Sequence, residues 1–251
     1  LSIAGLKPFV AIYSTFLQRS YDEVITDLCL QKLPVVITID RAGIVGEDGP
    51  THHGLFDFSY LRHIPNITIM VPKDENELSH MLFTALHQSN PVAVRYPRGK
   101  GEGIHIEEFT QLEIGKAEVI REGKDLLIIA IGCTVYPSLQ AAQLLSEVGI
   151  HATVINSRFV KPLDEKLFIT HAKRVGKVIT VEENVLCGGF GSAVLEAFER
   201  NNVYGIEMKR IGIPDEFVNH GPQKTLRDIY GIDANGIYHN AVKFLGKRVK
   251  K

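Results

Sequence analysis

The sequence predicts an α/β protein of two domains, each a mostly parallel sheet with a mixed edge, flanked by helices. Short β-branched runs alternate along the chain with segments of helical periodicity, which is the order expected around a parallel sheet. Runs such as LPVVITID and DLLIIAIG are apolar almost throughout, as buried strands are. The chain has 251 residues, which is long for one domain and sufficient for two.

The first predicted domain covers residues 1–105. Its predicted elements are, in order, the strand PFVAIYS, a helix with apolar residues at helical spacing, the strands PVVITID and ITIMVP, the helix KDENELSHMLFTALHQ and the strand VAVRYPRG. Ser14 or Thr15 is expected to cap the first helix, because a hydroxyl oxygen can accept from the free N–H groups at a helix start. Pro72 and Pro97 are expected to end the strands in which they lie.

Residues 106–122 are predicted to link the domains, because they are charged, punctuated by glycine and carry one strand-like run, KAEVI. The second predicted domain covers residues 123–251. Its predicted elements are, in order, the strand DLLIIAIG, the helix TVYPSLQAAQLLSEVG, the strand HATVINSRF, the helix DEKLFITHAKRVG, the strand KVITVEEN, a loop and helix GGFGSAVLEAFERN and the strand IEMKRIGIP. The second domain therefore repeats the alternation of the first.

The composition excludes several classes of partner. With 28 basic and 29 acidic residues the net charge is −1, so no overall positive field would attract nucleic acid or an anionic membrane. No apolar run approaches the roughly 20 residues of a membrane span, and LSIAGLKPFVAIYS lacks the basic start of a signal peptide. The sequence begins with Leu1 and enters a strand-like run almost at once, so we expect upstream residues to be missing.

The cysteine usage indicates a reduced, cytoplasmic location. Cys29, Cys133 and Cys187 are odd in number and far apart, so they do not form a disulfide framework. They also lack the spacing of a zinc site, and we expect no metal site within this chain. Each is expected to be a small core residue rather than a nucleophile.

The segment DRAGIVGEDGPTHHG concentrates charge directly after a predicted buried strand. Arg41 can bind phosphate through two parallel hydrogen bonds. His52 can move protons, because an imidazole can both donate and accept one, while Asp48 can accept from a sugar hydroxyl or orient the histidine. A solvated turn would need neither histidines nor so many glycines, so the segment predicts a ligand site.

Two other strand ends carry groups that suit the same ligand. In YSTFLQRSYD, Phe16 and Arg19 lie three residues apart on one helix face, where an aromatic and a donor could bind a flat heteroaromatic ring. A buried Phe16 and a solvated Arg19 stay possible. In RYPRG, Arg98 follows the strand and can join a phosphate clamp, whereas Arg95 can be structural. Because ligands of open α/β sheets bind at the carboxyl ends of strands, these groups predict one site.

Two further segments carry residue types that occur in functional sites. CGGFGSAV follows a strand and precedes a helix, but it lacks the third small residue of a dinucleotide-binding motif, so a tight turn that packs the helix on the sheet is the simpler interpretation. Glu182 and Glu183 lie at the end of the preceding strand and are expected to be solvated, although they could face a partner or a cleft.

Seven segments resemble one known family. They are AIYSTFLQRSYD, IDRAGIVGEDGPTHHGLFD, RHIPNITIMVPKDENE and VRYPRG in the first domain, and VINSRFVKPLDE, EENVLCGGFGSAVLE and IGIPDEFVNHG in the second. The chain is similar to the 1-deoxy-D-xylulose-5-phosphate synthase family, thiamine-diphosphate enzymes of the transketolase superfamily. The resemblance covers essentially the whole chain, with residues 1–105 matching a pyrimidine-binding domain that lacks its N-terminal part and residues 123–251 matching a transketolase C-terminal domain.

The resemblance implies a transferase that condenses pyruvate with glyceraldehyde 3-phosphate, releases CO2 and forms 1-deoxy-D-xylulose 5-phosphate. That product begins non-mevalonate isoprenoid synthesis and also feeds thiamine synthesis. The family implies thiamine diphosphate and Mg²⁺ as cofactors and a homodimer as the assembly. Its Gly-Asp-Gly signature for magnesium and diphosphate is not in this sequence, and its pyrimidine-contacting glutamate would precede Leu1. We therefore expect a missing N-terminal domain to hold the Mg²⁺, and this chain alone to be inactive.

By matching motif, the resemblance also implies roles for individual residues. Phe16 would stack on the aminopyrimidine, with Arg19 close by. The phosphate end of glyceraldehyde 3-phosphate and its surroundings would be held by Tyr13, Arg41 and Arg98. Substrate hydroxyls would be bound, and proton transfer assisted, by Asp48 and His52. The role of His53 stays open, because many members of the family have glutamine there.

Two alternatives remain from the sequence. The chain could be the C-terminal subunit of another transketolase-like enzyme, such as a split transketolase or an oxo-acid dehydrogenase β-subunit, and activity with ribose 5-phosphate as acceptor would indicate this. It could also be a non-catalytic sugar-phosphate-binding module. Such a module would bind glyceraldehyde 3-phosphate and show no turnover even when the missing domain is supplied.

Overall fold

The β-branched runs form two five-stranded sheets within residues 1–247, the part of the chain that this computed structural model describes. The strands of the first sheet are β1 Phe9–Tyr13, β2 Val36–Ala42, β3 Thr68–Met70, β4 Val92–Pro97 and β8 Phe159–Lys161. Their order is β1-β2-β4-β3-β8. The first four are parallel, and the edge strand β8 is antiparallel to β3.

The second sheet has the same character. Its strands are β5 Glu118–Arg121, β6 Leu126–Ala130, β7 Ala152–Asn156, β9 Lys177–Val185 and β10 Glu207–Ile213. Their order is β10-β9-β6-β7-β5, and only the edge strand β5 is antiparallel to its neighbour within this sheet. Two mostly parallel sheets, each with a mixed edge and flanking helices, confirm the predicted fold class.

Helices cover the faces of both sheets. They are α1 Ser14–Leu17, α2 Tyr21–Glu23, α3 Asp57–Leu61, α4 Glu75–Leu86, α5 Val135–Glu147, α6 Glu165–Val175, α7 Phe190–Arg200, α8 Gln223–Ile229 and α9 Ala234–Phe244. Of these, α3, α8 and α9 are additional to the predicted elements. None of the helices within residues 1–247 combines the length and apolar character needed to cross a lipid bilayer.

The segment after β1 differs from the single capped helix predicted there. It passes from α1 through a 3-10 turn, Gln18–Ser20, and α2 into a π-helical segment, Val24–Cys29. No side chain caps its start; the Ser14 hydroxyl instead donates to Asp57 Oδ2 at 2.9 Å. The predicted cap is wrong because this hydroxyl satisfies a buried carboxylate. By contrast, Asp74 caps α4 by accepting from an N–H of its first turn.

HATVINSRF, predicted as one strand, contains β7 and the first residue of β8, which belong to different sheets. β7 ends at Asn156, the backbone reverses through Arg158 in the left-handed region (φ 59°), and β8 then pairs with β3 of the first sheet. β5, within the predicted linker, pairs with β7 of the second sheet. Because strands are exchanged in this way, the domain boundaries at residues 105 and 122 stay a prediction.

The two sheets are joined by a shared core. One buried apolar cluster contains Ile37 from the first sheet together with Ile129 and Phe168 from the second half of the chain. Burial of apolar area across the junction stabilises the two halves against one another.

Candidate active site

Three parallel strands end at the same edge of the first sheet. Tyr13, the last residue of β1, is in register with Asp40 of β2, and Ala42 of β2 is in register with Pro97 of β4. The segments that follow these strands therefore start side by side. These are the segments for which the sequence predicted a ligand site.

An aromatic cluster occupies one part of this edge. The rings of Tyr13 and Phe16 stack with their centroids 4.9 Å apart and an angle of 16° between their planes. The His52 ring meets Phe16 edge-on at 5.9 Å. Phe16 is 51% exposed, so it is not the core residue of the alternative prediction. The cluster offers a free aromatic face on which a flat ring can stack.

Arg41 connects the aromatic cluster to the neighbouring charges. Its guanidinium carbon lies 3.9 Å from the centroid of the Tyr13 ring, a cation–π contact. Its Nη1 donates to Asp40 Oδ2 at 2.5 Å, and its backbone N–H donates to Oδ1 of the same carboxylate at 2.6 Å. Arg41 itself has φ +53°, in the left-handed region. The turn after β2 is thereby held with the guanidinium over the tyrosine.

A cavity of about 420 Å³ lies at the carboxyl ends of β2, β3 and β4. Two predicted phosphate-binding residues, Arg41 and Arg98, line it together with Lys73 and Lys100. Acidic side chains also line it: Asp40, Asp74, Glu75 and Glu102. A cavity with four cations, of which Arg41, Lys73 and Arg98 each pair with a carboxylate, suits a ligand that carries both an anionic group and hydroxyls.

Asp48 and Arg98 form an ion pair between the loop after β2 and the segment after β4. Arg98 Nη1 donates to Asp48 Oδ2 at 2.5 Å, and both side chains are nearly half exposed. His52 lies in the same loop as Asp48, with its Nδ1 hydrogen bonded to Thr51 Oγ1 at 2.9 Å. The structure thus brings together six of the seven predicted site residues, from Tyr13 through Arg98.

Arg19 is the exception among the predicted site residues. It is exposed on the 3-10 turn that follows α1. Within residues 1–247 no hydrogen bond or ion pair joins it to the aromatic cluster or to the cavity. Its proposed closeness to the pyrimidine stays a prediction.

His53, whose role the sequence left open, is buried beneath the loop. Val45 N–H donates to its Nδ1 at 3.1 Å, and its Nε2 lies 3.1 Å from the carbonyl oxygen of Asn219. Because a carbonyl only accepts, Nε2 carries the proton and the ring is neutral. Burial lowers the pKa of His53 below its usual value. The two adjacent histidines therefore differ, His52 lying at the aromatic cluster and His53 inside the protein.

Arg95 is structural. Its Nε donates to both oxygens of the buried Asp57 carboxylate, at 2.9 and 3.0 Å, and its Nη2 donates to the carbonyls of Gly54 and Glu183. The guanidinium also covers the Phe58 ring at 4.1 Å. One buried side chain thus joins β4, α3, the end of the histidine loop and β9.

Glu182 and Glu183 are buried, so the expectation of a solvated strand end is wrong. Glu183 Oε1 accepts from Arg227 Nε at 2.6 Å, and its Oε2 accepts from the Cys133 thiol at 3.1 Å. Arg227 lies 44 residues further along the chain, and no local pattern in the sequence announces it. The pair of Glu183 and Arg227 was not predicted from the sequence for that reason. Two acids at the end of an apolar strand are only a weak signal of a buried ion pair.

The Gly-x-Gly segment forms a tight turn, as the simpler interpretation predicts. A Cβ at Gly189 would lie 2.2 Å from Glu182 Oε2, and one at Gly191 would lie 2.6 Å from Thr180 Oγ1. The Glu182 carboxylate accepts from the N–H groups of Phe190 and Gly191 at the start of α7. These bonds fill the place where a dinucleotide phosphate would lie. Burial raises the pKa of Glu182 to about 8, although both hydrogen bonds act in the opposite direction.

The cysteines differ from one another more than the sequence predicts. Cys29 is buried, as expected, and Cys133 is half-buried at the cavity wall. Cys187 is exposed on the turn before α7, so its assignment to the core is wrong. Within the described residues, no group of three or more His, Cys, Asp or Glu side chains is arranged to hold a metal ion.

Two family models match the chain. The transketolase pyrimidine-binding domain matches residues 1–102, and the transketolase C-terminal domain matches residues 115–237. A split-gene transketolase, described as an inactive β4 tetramer, superposes with a TM-score of 0.86 at 31% identity, covering 98% of this chain and 79% of that one. A mutant transketolase from Pichia stipitis, 19% identical, superposes with a TM-score of 0.71 over 95% of this chain and 34% of its own, and shows the fold alone.

Curated relatives are more similar in sequence. The 1-deoxy-D-xylulose-5-phosphate synthase of Halothermothrix orenii is 57% identical over 248 residues, which are 98% of this chain and 39% of that protein. The 1-deoxy-D-xylulose-5-phosphate synthase 1 of Geobacter sulfurreducens is 57% identical over 249 residues, 99% of this chain and 39% of its own length. The chain thus spans about two fifths of the length of these relatives.

The fold, the two matched domains and the similarity to the split transketolase agree with the resemblance seen in the sequence. The residues that gather at the strand ends lie within the part matched by the pyrimidine-binding domain. The chain therefore belongs to the transketolase family, of which it comprises a pyrimidine-binding domain and a C-terminal domain.

Proposed function

We propose that this chain forms the pyrimidine- and substrate-binding part of a thiamine-diphosphate-dependent 1-deoxy-D-xylulose-5-phosphate synthase. The relatives that carry this name are 57% identical over almost the whole chain. The observation that carries the proposal is the shared cavity of Arg41 and Arg98, because Arg41 also lies on the Tyr13 ring of the aromatic cluster. A phosphate site is thus adjacent to a surface suited to a flat ring.

The substrate phosphate is assigned to the cavity. Glyceraldehyde 3-phosphate is short, so its aldehyde lies within a few ångströms of the phosphate-binding guanidiniums. Arg98 uses one N–H on Asp48, which leaves further donors of its planar fork for phosphate oxygens. Tyr13 supports Arg41 from below and limits where its guanidinium can move.

The pyrimidine end of the cofactor is assigned to Phe16. Its exposed face, with Tyr13 stacked behind it, fits a flat aromatic ring. When bound, thiamine diphosphate supplies the chemistry that releases CO2 from pyruvate and forms the new carbon–carbon bond. The diphosphate and Mg²⁺ would be held by the N-terminal part of such an enzyme, since Asp40 and Asp74 of this chain's cavity are already paired with cations and Glu75 accepts from three backbone N–H groups.

His52 and Asp48 are assigned to the acceptor aldehyde. Carbon–carbon bond formation turns the aldehyde oxygen into a hydroxyl, which requires one proton, and an imidazole beside the aromatic cluster can donate it. Asp48, in the same loop, can accept from the neighbouring substrate hydroxyl. One three-carbon acceptor and one three-carbon donor then leave as a five-carbon sugar phosphate and CO2.

The assembled enzyme is proposed to be a cytoplasmic homodimer whose product feeds isoprenoid and thiamine synthesis. The experiment mixes this polypeptide with a separately made N-terminal domain, thiamine diphosphate, Mg²⁺, pyruvate and glyceraldehyde 3-phosphate, and follows CO2 release. Activity is expected only in the mixture, and His52→Ala should reduce it by about 10²–10⁴-fold, the range of a lost proton donor.

Three outcomes oppose the proposal. Decarboxylation of pyruvate by the isolated chain would contradict its dependence on the N-terminal part. Turnover with ribose 5-phosphate in preference to glyceraldehyde 3-phosphate would indicate another transketolase-like subunit. Binding of glyceraldehyde 3-phosphate without turnover in the complete mixture would indicate a sugar-phosphate-binding module.

A further inference from the structure

Gln223, the first residue of α8, reaches from the C-terminal domain to two of the strand-end loops. Its side-chain Nε2 donates to the carbonyl of Ile44 at 2.7 Å and to the carbonyl of Arg98 at 3.1 Å. A primary amide has two N–H donors, so both bonds form at once. One side chain thereby ties the loop after β2 to the loop after β4.

The residues just before Gln223 hold the same loop at two more points. Gly221 N–H donates to the carbonyl of Gly46 at 3.3 Å. The His53 Nε2–H donates to the carbonyl of Asn219, while its Nδ1 accepts from Val45. The segment 219–223 therefore contacts the loop between β2 and α3 along much of its length.

The two surfaces are packed without spare room. A Cβ at Gly46 would lie 3.2 Å from Gln223 Cγ and 3.2 Å from the Gly221 carbonyl oxygen. A Cβ at Gly49 would lie 3.2 Å from His220 Cβ. Both glycines have positive φ, at 98° and 76°, which glycine adopts without the strain of a Cβ. The loop between β2 and α3 consequently packs closely against the 219–223 segment.

We propose that Gln223 is a positioning residue of the substrate site, setting the distance between Arg98 and the loop that carries Asp48 and His52. The inference rests on the proposed function. Gln223 lines no part of the cavity, so it acts through the loops whose carbonyls it joins. Within the described residues the C-terminal domain supplies no cation to that cavity, so it contributes to substrate binding by holding the segment after β4 that carries Arg98.

The energetic reason is the geometry of phosphate recognition. Two guanidiniums from different strand ends bind one phosphate well only when their separation matches it. A misplacement of about 1 Å at a reacting site can cost about 10²-fold in rate. Without the amide, the Arg98 carbonyl and the Ile44 carbonyl lose their common donor, and each loop can move independently.

The first test needs no ligand. Gln223→Met keeps the side-chain length and removes both donors; Gln223→Glu keeps the shape and places a carboxylate against two carbonyls. The matched control is Gln31→Leu, which removes a glutamine with one backbone bond far from the cavity. Amide hydrogen exchange is followed by NMR in the 251-residue chain, together with the thermal midpoint.

Both Gln223 variants should accelerate exchange at Val45 and Gly49 by about tenfold or more, while the control leaves these amides unchanged. If one Gln223 variant does not fold, the other decides the result. Unchanged exchange at Val45 and Gly49 in a folded Gln223 variant would overturn the proposal. An equal acceleration in every region of the chain would also overturn it, because that pattern indicates general destabilisation.

The second test uses the enzyme assembled with its N-terminal part. Gln223→Met should raise KM for glyceraldehyde 3-phosphate about tenfold, with KM for pyruvate changed less than about twofold. Added to Arg98→Ala it should cause little further rise, because residues that act through one another are not additive. Full additivity would overturn the proposal. If the assembled enzyme makes no 1-deoxy-D-xylulose 5-phosphate, the proposed function fails, and the exchange experiment still decides whether Gln223 fixes the loops.

Discussion

The guanidinium of Arg98 and the carboxylate of Asp48 form an ion pair that joins the loop after β4 to the loop after β2, with 2.5 Å between Nη1 and Oδ2. Both side chains are nearly half exposed, so the pair contributes little to folding stability. It does orient the guanidinium, since one N–H is held by Asp48 and the others stay available. An arginine prepared in this way differs from a solvated one, and its removal should affect ligand binding more than stability.

Arg98→Ala should raise KM for glyceraldehyde 3-phosphate by about 10–100-fold, because a charge-assisted hydrogen bond to phosphate contributes about 1.5–3 kcal/mol. KM for pyruvate should change little, because pyruvate carries no phosphate. The measurement is steady-state kinetics of the assembled enzyme with each substrate varied in turn. Arg121→Ala is the control, since Arg121 is a β5 residue bonded to Gln143 away from the cavity. Equal increases for both substrates would refute the assignment of Arg98.

The gathering of site residues was predictable because it follows from topology. Parallel strands direct their carboxyl ends to one edge, so a tyrosine at the end of β1 and charges after β2 and β4 must become neighbours. The register of Tyr13 with Asp40 realises this expectation. Residues that act through local spacing, such as the Asp74 cap of α4, are predictable for a different reason, because both partners lie within one turn of the chain.

Contacts between distant segments were not predictable. Gln223 meets the Arg98 carbonyl across 125 residues, and Arg227 meets Glu183 across 44, with no periodicity to announce either. The break between β7 and β8 depends on one left-handed residue, Arg158, which is not a glycine. Whether a side chain at a strand end is buried likewise depends on a distant segment that covers it. Glu183 was therefore predicted to be solvated, although Arg227 covers it.

One thiol per chain should react rapidly with a disulfide reagent, and it should be that of Cys187, which is exposed. Burial raises the pKa of Cys29 to about 11, and burial beside Glu183 raises that of Cys133 to about 12. Their thiolates, the reactive form, are therefore scarce near neutral pH.

The measurement is the release of thionitrobenzoate under native conditions and again in denaturant. Cys187→Ser should abolish the rapid phase and leave two thiols that react after unfolding. Rapid release that persists in Cys187→Ser would mean that the cavity wall at Cys133 opens readily, in conflict with the closed contact to Glu183.

Acid should destabilise the chain partly through His53. Its folded pKa lies below the usual 6.5 because burial disfavours the charged ring, so the unfolded chain binds more protons below that pH. The contribution of His53 is therefore fully present above pH 6.5 and is lost as the pH falls through the folded pKa. The slope from one such group cannot exceed about 1.4 kcal/mol per pH unit.

His53→Gln should flatten this acid dependence, because the amide oxygen can accept from Val45 and the amide nitrogen can donate to Asn219 without titrating. The free energy of unfolding in urea is compared at about pH 7.5 and about pH 5.5, a window that spans the usual histidine pKa. His105→Gln, on an exposed loop, is the matched control. If wild type and His53→Gln lose the same free energy of unfolding at the lower pH, His53 is not the source of the acid dependence.

Arg95 and Asp57 should be coupled in stability, because both are buried and the guanidinium also satisfies two carbonyls. Arg95→Leu leaves a buried carboxylate without its cation and should destabilise the chain by about 3–5 kcal/mol in urea unfolding. Adding Asp57→Asn removes the uncompensated charge and should recover part of that loss. Arg200→Leu, which breaks an exposed pair with Glu165, should cost about 1 kcal/mol or less. If Arg95→Leu costs no more than Arg200→Leu, water must reach Asp57, and the junction between β4 and β9 is hydrated.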